Sequence, residues 1–340
     1  MEPLFDRLAL CDPIGGRPLE PIVGARTPAG VPVVGALRIE GTGTGYPIVD
    51  CVARLTPELA HRYAQWLDPF GLRPPALEDA SFQAEETVDS FGFQWNWNAN
   101  MRSEADLEWR VASRFGVDGT LFDGKLVLDA GSGAGDQTAW MHRHGASVVS
   151  LDLSSAIGVV AAKMRMQPEW VGIQGDVTRP PFGAATFDLV YCEGVIQHTR
   201  DSAATVRELL RVLRVGGTIL ATHYSAPMRM RGRIRKAYTD ALRNRTSCMP
   251  RYPLLLLTGL LAAAAYVPGL RWLVRRSGTA QYSDVMPEFK TTWTNTYDWY
   301  GTHAFQRLIP TETFWRYFEE AAPVQTEFRA PGVIRVRKVG

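Results

Sequence analysis

Residues 127 to 135 read VLDAGSGAG: a short apolar run that closes on Asp129, followed by Gly131, Gly133 and Gly135. A run of this kind reads as a buried strand. Glycines placed directly after it let the backbone turn sharply into a helix and approach a ligand closely. A dinucleotide fingerprint needs the spacing Gly-x-Gly-x-x-Gly, but Asp136 follows Gly135, so the spacing here is Gly-x-Gly-x-Gly. That pattern favours a nucleoside without a pyrophosphate. The glycines alone do not decide it, because a glycine-rich strand-to-helix turn is a structural need of many α/β proteins.

Working outward, the segments Ser147 to Asp152, Val171 to Gln174, Phe187 to Cys192 and Thr218 to His223 read as further strands, with helices opening near Asp136, Ser155 and Asp201. Apolar strands alternating with helices predict a parallel sheet with crossover helices. Asp152 ends the second strand, 17 residues after Gly135, where a carboxylate can accept hydrogen bonds from ribose hydroxyls. Asp176 ends the third, in QGDV, where it can meet an adenine amino group while Val177 packs near the ring. A single Asp at a strand end is more often a helix cap than a ligand. Acids at successive strand ends in this order converge on one crevice and favour a nucleoside site.

Upstream, residues 1 to about 55 are rich in Gly and Pro with short apolar runs, and 57 to about 124 read as mostly helical and aromatic, with Phe91, Phe93, Trp95 and Trp97 on one face if extended or wrapped round a helix if not. Downstream of His223 the alternation stops for about 75 residues. Phe314 to Ala321 then reads as a helix, and Val324 to Arg329 with Val333 to Arg337 as a closing antiparallel pair.

Composition narrows the class. The 340 residues carry 37 basic against 35 acidic side chains, too even a balance for nonspecific attraction of nucleic acid, so no nucleic-acid partner is expected. Cys11, Cys51, Cys192 and Cys248 lie far apart without a CxxC pair, which fits a reducing compartment. The N-terminal residues show no basic start followed by an apolar run, so a cytoplasmic location is expected. The most apolar stretch, Leu254 to Val267, spans about 14 residues against the roughly 20 that cross a bilayer. It is read first as a buried helix or lid and second as a membrane-surface contact, without stable membrane insertion.

From Leu126 to about His223 the chain resembles a class I S-adenosylmethionine methyltransferase: LDAGSGAG resembles the first motif, VVSLDLS the second, QGDV the third, FDLVYCEGVIQH the fourth and LLRVLRVGGTIL the fifth. SFGFQWNWN upstream and NTYDWYGTHAFQRLIPTETFWRYFEEA downstream resemble segments of a bacterial subgroup, so the likeness covers about residues 85 to 340. Val215 stands where the family usually has Pro, and Ser132 where many members have Cys. LCDPIGGRPLE and GYPIVDCVARL resemble a small zinc-ribbon-like module. Of its ligand positions only Cys11 remains, with Ile14, Ile39 and Thr42 at the others, so no zinc is expected.

The resemblance implies an α/β, Rossmann-like class I methyltransferase fold: a mostly parallel seven-stranded sheet with an antiparallel last strand, a small N-terminal β module and a helical lid insertion. The corresponding segments are 1–56 (degenerate zinc-ribbon-like module), 57–124 (helical extension), 125–224 (cofactor-binding core), 225–300 (lid) and 301–340 (completion of the core). It implies S-adenosyl-L-methionine as cofactor, with S-adenosyl-L-homocysteine as product, held by Asp129, Gly131, Ser132, Gly133, Asp152, Leu153, Asp176, Val177 and Glu193.

Methyl transfer from a sulfonium is an in-line displacement that needs positioning more than covalent help. A hydroxyl or ammonium acceptor must also lose a proton, and His198 at the mouth of the crevice is the candidate base, with His223 next. The reading of His198 as a helix cap is equally open. Trp95, Tyr224, Tyr297, Trp299, Tyr300 and His303 are candidate substrate contacts, although aromatics this dense are as often core packing. The basic run Arg229, Arg231, Arg233, Arg235 and Lys236, with Arg271, Arg275 and Arg276 beyond it, reads first as a solvated helix face and second as a site for an anionic or lipid-like acceptor. The expected partner is a small molecule, anionic or hydrophobic, with room for a homodimer. O-methylation of a secondary metabolite or glycan-like compound is preferred over C- or N-methylation. A nicotinamide oxidoreductase is disfavoured by the glycine spacing, and a catalytically inactive methyltransferase-fold activator by the intact acids.

Overall fold

The apolar runs that close on Asp129, Asp152, Gln174, Cys192 and His223 become strands. The computed structural model of the protein describes residues 2–77, 85–97, 102–225, 230–246, 249–282, 288–301 and 308–340. In chain order the strands are β1 (Leu19–Arg26), β2 (Pro32–Ile39), β3 (Gly45–Val49), β4 (Val52–Leu55), β5 (Leu126–Ala130), β6 (Ser147–Asp152), β7 (Trp170–Gly175), β8 (Phe187–Cys192), β9 (Leu213–Thr222), β10 (Val324–Ala330) and β11 (Val333–Lys338). The helices are α1 (Leu4–Arg7), α2 (Pro57–Arg62), α3 (Glu85–Trp97), α4 (Glu104–Phe115), α5 (Asp136–Arg143), α6 (Ile157–Met164), α7 (Ser202–Val212), α8 (Met230–Thr246), α9 (Arg251–Ala264), α10 (Leu270–Ser277), α11 (Phe289–Tyr300) and α12 (Thr311–Ala321).

All eleven strands form one sheet in the order β1-β2-β3-β4-β7-β6-β5-β8-β9-β11-β10. The stretch β7-β6-β5-β8-β9 is parallel, and β11 enters antiparallel beside β9. With β10 outermost beside β11, the seven strands β7-β6-β5-β8-β9-β11-β10 form the class I methyltransferase arrangement expected from the motifs. Its central strands are covered on both faces, which is why β7 and β8 read as largely apolar runs, interrupted by Gln174 and by the half-buried Asp188. Strand order reverses between β5 and β8, so the carboxyl ends of these strands open a crevice there.

The N-terminal strands, expected as a small module beside the core, instead continue the same sheet. Strand β4 pairs parallel with β7, from Val52 opposite Gly172 to Leu55 opposite Gly175. A two-residue turn, Asp50 and Cys51, both at positive φ, reverses the chain between β3 and β4. Buried Arg54 bridges the junction, donating to Gln174 Oε1 at 2.5 Å. Tyr46, Ile48 and Leu55 share one apolar cluster with Val149, Leu151 and Ile173 of the central strands.

Helix α3 resolves the aromatic run that the sequence left as strand or helix. Four-residue spacing sends Phe91 and Trp95 toward the crevice, against His198 and Gly133, while Phe93 and Trp97 meet Tyr297 and Trp293 of α11. The apolar segment expected as a buried helix is α9, and only one of its stripes is buried: Leu254, Thr258 and Ala262 pack inward while Leu256 and Leu260 face solvent. Among the described residues no helix is long and apolar enough to cross a membrane.

Because β3 and β4 share the central cluster, Ile48→Ala is expected to cost about 2–5 kcal/mol, the usual penalty for truncating a buried aliphatic side chain. Denaturant unfolding is expected to remain one cooperative transition. A separate early transition reporting only the N-terminal strands would contradict the continuous sheet.

Candidate active site

The turn after β5 is held by the strand beside it. Gly131 and Ser132 donate backbone N–H groups to Leu151 O at 2.7 and 3.3 Å, and Gly133 N donates to Asp152 Oδ2 at 2.8 Å. Asp152 Oδ1 accepts from Ser154 N at 2.8 Å and Ser154 Oγ at 2.6 Å. A carboxylate offers about four lone-pair sites, so these three bonds leave room for one further donor. Gly131 has φ +83°, and a Cβ there would come within 2.2 Å of a Val195 methyl. Gly133 has φ +53°, and its Cβ would lie 3.2 Å from the Trp95 indole. Side chains are excluded here both by backbone conformation and by space.

Beneath the turn runs a buried polar relay. Trp170 Nε1 donates to Ser150 Oγ at 3.0 Å, Ser150 Oγ lies 3.0 Å from Thr138 Oγ1, and Thr138 Oγ1 donates to Asp129 Oδ2 at 2.5 Å. Each hydroxyl accepts from the group behind it and donates to the group ahead, which fixes the Asp129 side chain. Burial pushes the Asp129 carboxyl up to about 7, against the pull of the Thr138 hydrogen bond. Burial likewise raises the Asp152 carboxyl, opposed by its bonds from Ser154 and Gly133.

Glu193 follows β8 and is the most heavily partnered acid of the site. Its Oε1 meets Arg110 Nη1 at 2.5 Å and also Arg114 Nη1, while Oε2 accepts from Tyr191 OH at 2.6 Å and Gln137 Nε2 at 3.1 Å. Burial alone would raise its pKa. The guanidinium groups of Arg114, Arg110 and Arg102 outweigh that and hold the carboxyl well below the usual range. The buried Arg110 is itself lowered to about 10, chiefly by desolvation. Glu193, expected as a direct cofactor ligand, thus has both oxygens engaged by protein, and its neighbours Arg110 and Arg114 were missed. Their four-residue spacing on α4 was the only signal in the sequence.

One cavity of about 850 Å3 collects these groups. Its lining includes Asp129, Gly131, Ser132, Gly133, Asp152, Leu153, Asp176 and Val177, together with Trp95, Glu193, His198, His223, Tyr224 and Trp299. His198 sits with its ring 5.0 Å from Phe91 and 5.7 Å from Tyr224, both edge-on. Tyr224 OH donates to Asp298 Oδ2 at 3.0 Å, and burial together with that carboxylate raises the phenol well above its ordinary value. Burial lowers the His223 imidazole, which packs against Phe314. Tyr297 and Tyr300 lie in an apolar cluster of the helical layer and do not line the cavity. His303, Arg229 and the side chains of Arg231, Arg233, Arg235 and Lys236 lie outside the described residues.

The fold is of the class I methyltransferase type. Residues 128–221 match the family model described as a methyltransferase domain. Over 104 residues the chain is 36% identical to a demethylmenaquinone methyltransferase of Beutenbergia cavernae, covering 31% of this chain and 42% of that protein. Over 123 residues it is 34% identical to a demethylmenaquinone methyltransferase of Mycobacterium tuberculosis, covering 36% and 50%. The chain therefore spans about half the length of the curated relatives it matches. Among solved structures, the Burkholderia thailandensis 1,6-didemethyltoxoflavin-N1-methyltransferase with 1,6-didemethyltoxoflavin and S-adenosylhomocysteine superposes with a TM-score of 0.41 at 14% identity, covering 79% of this chain and 95% of that one.

The residues present fit S-adenosylmethionine, the cofactor of this domain class. Gly131 and Gly133 form a cradle that a Cβ would obstruct. Ser132 Oγ lines the cavity, buried and without a hydrogen-bond partner among the described residues. A buried hydroxyl left in that state costs free energy that a bound polar ligand would recover.

Folding raises the Asp129 pKa, so its contribution is full below the unfolded value of 3.8 and is lost as pH rises toward about 7. Relative to Asp129→Asn, which cannot ionise, the wild-type protein is expected to lose on the order of 4 kcal/mol of unfolding free energy between pH 4 and pH 8. Urea titrations at stepped pH measure this difference. Parallel stability curves for the two proteins would contradict the assigned shift.

Proposed function

We propose that the protein transfers a methyl group from S-adenosylmethionine to a small-molecule acceptor, with O-methylation the preferred outcome. The observation that carries this reading is one cavity lined both by strand-end acids around a glycine turn and by His198, Tyr224 and aromatic rings. The curated relatives, named as demethylmenaquinone methyltransferases, support an acceptor of small-molecule size.

When bound, the cofactor supplies a methyl group made electrophilic by its sulfonium sulfur. The protein's own part is positioning, and no covalent residue is required. Asp152 has one acceptor site left for a ribose hydroxyl, and Asp176, whose Oδ1 accepts from Thr178 N at 2.8 Å, stands with Val177 where an adenine would lie. Asp129 and the cradle of Gly131 to Gly133 receive the amino-acid end of the ligand. Phe91, Trp95 and Trp299, which also line the cavity, hold an apolar acceptor. His198 is the base that takes the acceptor's proton. Tyr224, kept neutral by burial and committed as a donor to Asp298, orients the acceptor without competing for that proton.

Titration calorimetry with S-adenosylmethionine and S-adenosylhomocysteine tests the assignment. Micromolar binding is expected for the wild-type protein, weakened at least about tenfold in Asp152→Ala through loss of a charged hydrogen-bond acceptor. His198→Asn is expected to bind both ligands as the wild type does while losing about 10²–10⁴ in turnover of an identified acceptor. Absence of binding by the wild-type protein would overturn the reading.

A further inference from the structure

The helical hairpin of α9 and α10 carries an exposed face that the transfer reaction does not use. On α9, Tyr252, Leu256 and Leu260 recur every four residues and are 77, 66 and 62% exposed. Residues 266–273, which join α9 to α10 and begin α10, are exposed without interruption. Leu270, Trp272 and Leu273 are 50, 64 and 58% exposed, and no residue of α10 is buried. Single exposed apolar residues are ordinary, whereas a contiguous apolar and aromatic face on adjoining helices marks an interaction surface.

The charge of this region restricts what covers it. Residues 241–283 contain six arginines, Arg243, Arg245, Arg251, Arg271, Arg275 and Arg276, and no Asp or Glu. Arg276 lies over the exposed Trp272 ring at 5.1 Å, and Arg271 is exposed beside it. A second copy meeting this face across a two-fold axis would oppose one basic patch to another. Aromatic and aliphatic side chains mixed with guanidinium groups, with no acid between residues 241 and 283 and the exposed Glu288 only at the margin, beside the Phe289 that packs on Tyr266, match instead the boundary between acyl chains and anionic headgroups.

We infer that the α9–α10 hairpin docks the protein on an anionic lipid surface, its apolar stripe entering the interface while Arg271 and Arg276 meet headgroup phosphates. The face is continuous with the cavity: Gly278, Gln281 and Tyr282, just after α10, line the cavity, and Arg275 stacks on Tyr282 at 3.5 Å. Docking would therefore bring one wall of the cavity close to the bilayer. Peripheral binding of this kind needs no membrane-spanning helix, and it stands independently of the transfer reaction.

Co-sedimentation of the full chain with phosphatidylcholine vesicles, with and without phosphatidylglycerol at roughly one third of the lipid, tests this. Binding to the anionic vesicles is expected, at least about tenfold stronger than to phosphatidylcholine alone and weakened by salt. Trp272→Ser with Leu273→Ser is expected to lose most of that binding with an unchanged melting temperature, since both positions are exposed. Arg271→Glu with Arg276→Glu is expected to weaken it by at least about 25-fold at low salt, taking roughly fivefold for each arginine removed. The inference is overturned if the wild-type protein stays in the supernatant with both vesicle types, or if both double variants bind as it does. It is also overturned if light scattering finds a dimer that the Trp272→Ser, Leu273→Ser variant dissociates while vesicle binding is unaffected, which would assign the face to a second copy.

Discussion

The carboxylate of Glu193 joins two parts of the protein that share no strand pairing. It follows β8 at the carboxyl edge of the sheet, and the two arginines that grip it come from α4, outside the methyltransferase core. A buried charge left unpaired costs several kcal/mol, so once β8 carries Glu193 to this depth the docking of α4 is nearly obligatory. With α4 in place, Arg102 stacks over Trp95 at 5.7 Å, and Trp95 closes the cavity above Gly133. The ion cluster thereby supports one part of the cavity at the switch point of the sheet, where Trp95 covers the glycine turn.

The interior of the site is organised by groups that each perform two tasks. Asp152 holds the glycine turn and retains acceptor capacity toward the cavity. Asp129 ends a relay beginning at Trp170, so the β7 strand that also anchors the N-terminal strands contributes to the set of the turn. Stability and site geometry are coupled through the sheet, and residues far from the cavity therefore bear on it.

The central strands were legible in the sequence because they are buried on both faces and bounded by glycines and acids, a pattern few other structures produce. Acids at the ends of β5, β6 and β7 followed from the same register. Pairing of β4 with β7 was not legible: strand partners are set by edges that meet in space, and nothing in GYPIVDCVARL specifies a parallel neighbour more than 100 residues away. The aromatic run on α3 was ambiguous until its helical spacing split it between the cavity and the lid. Tyr297 and Tyr300 read as substrate contacts because they neighbour Trp299, but successive helical residues point about 100° apart, and only Trp299 faces the cavity. For Glu193 the acid was legible and its partners were not, since the arginines approach from a helix about 80 residues upstream. The apolar run of α9 concealed its exposed stripe because both of its faces are hydrophobic.

The central claim is that the strand-end acids and the glycine cradle form a nucleoside site within the cavity. A crystal structure of the protein with S-adenosylhomocysteine tests it most directly. The account predicts difference density along the cradle of Gly131 to Gly133, with ribose hydroxyls at Asp152 and the adenine beside Asp176 and Val177. Ligand density elsewhere on the molecule, or a cavity holding only solvent at saturating ligand, would contradict it.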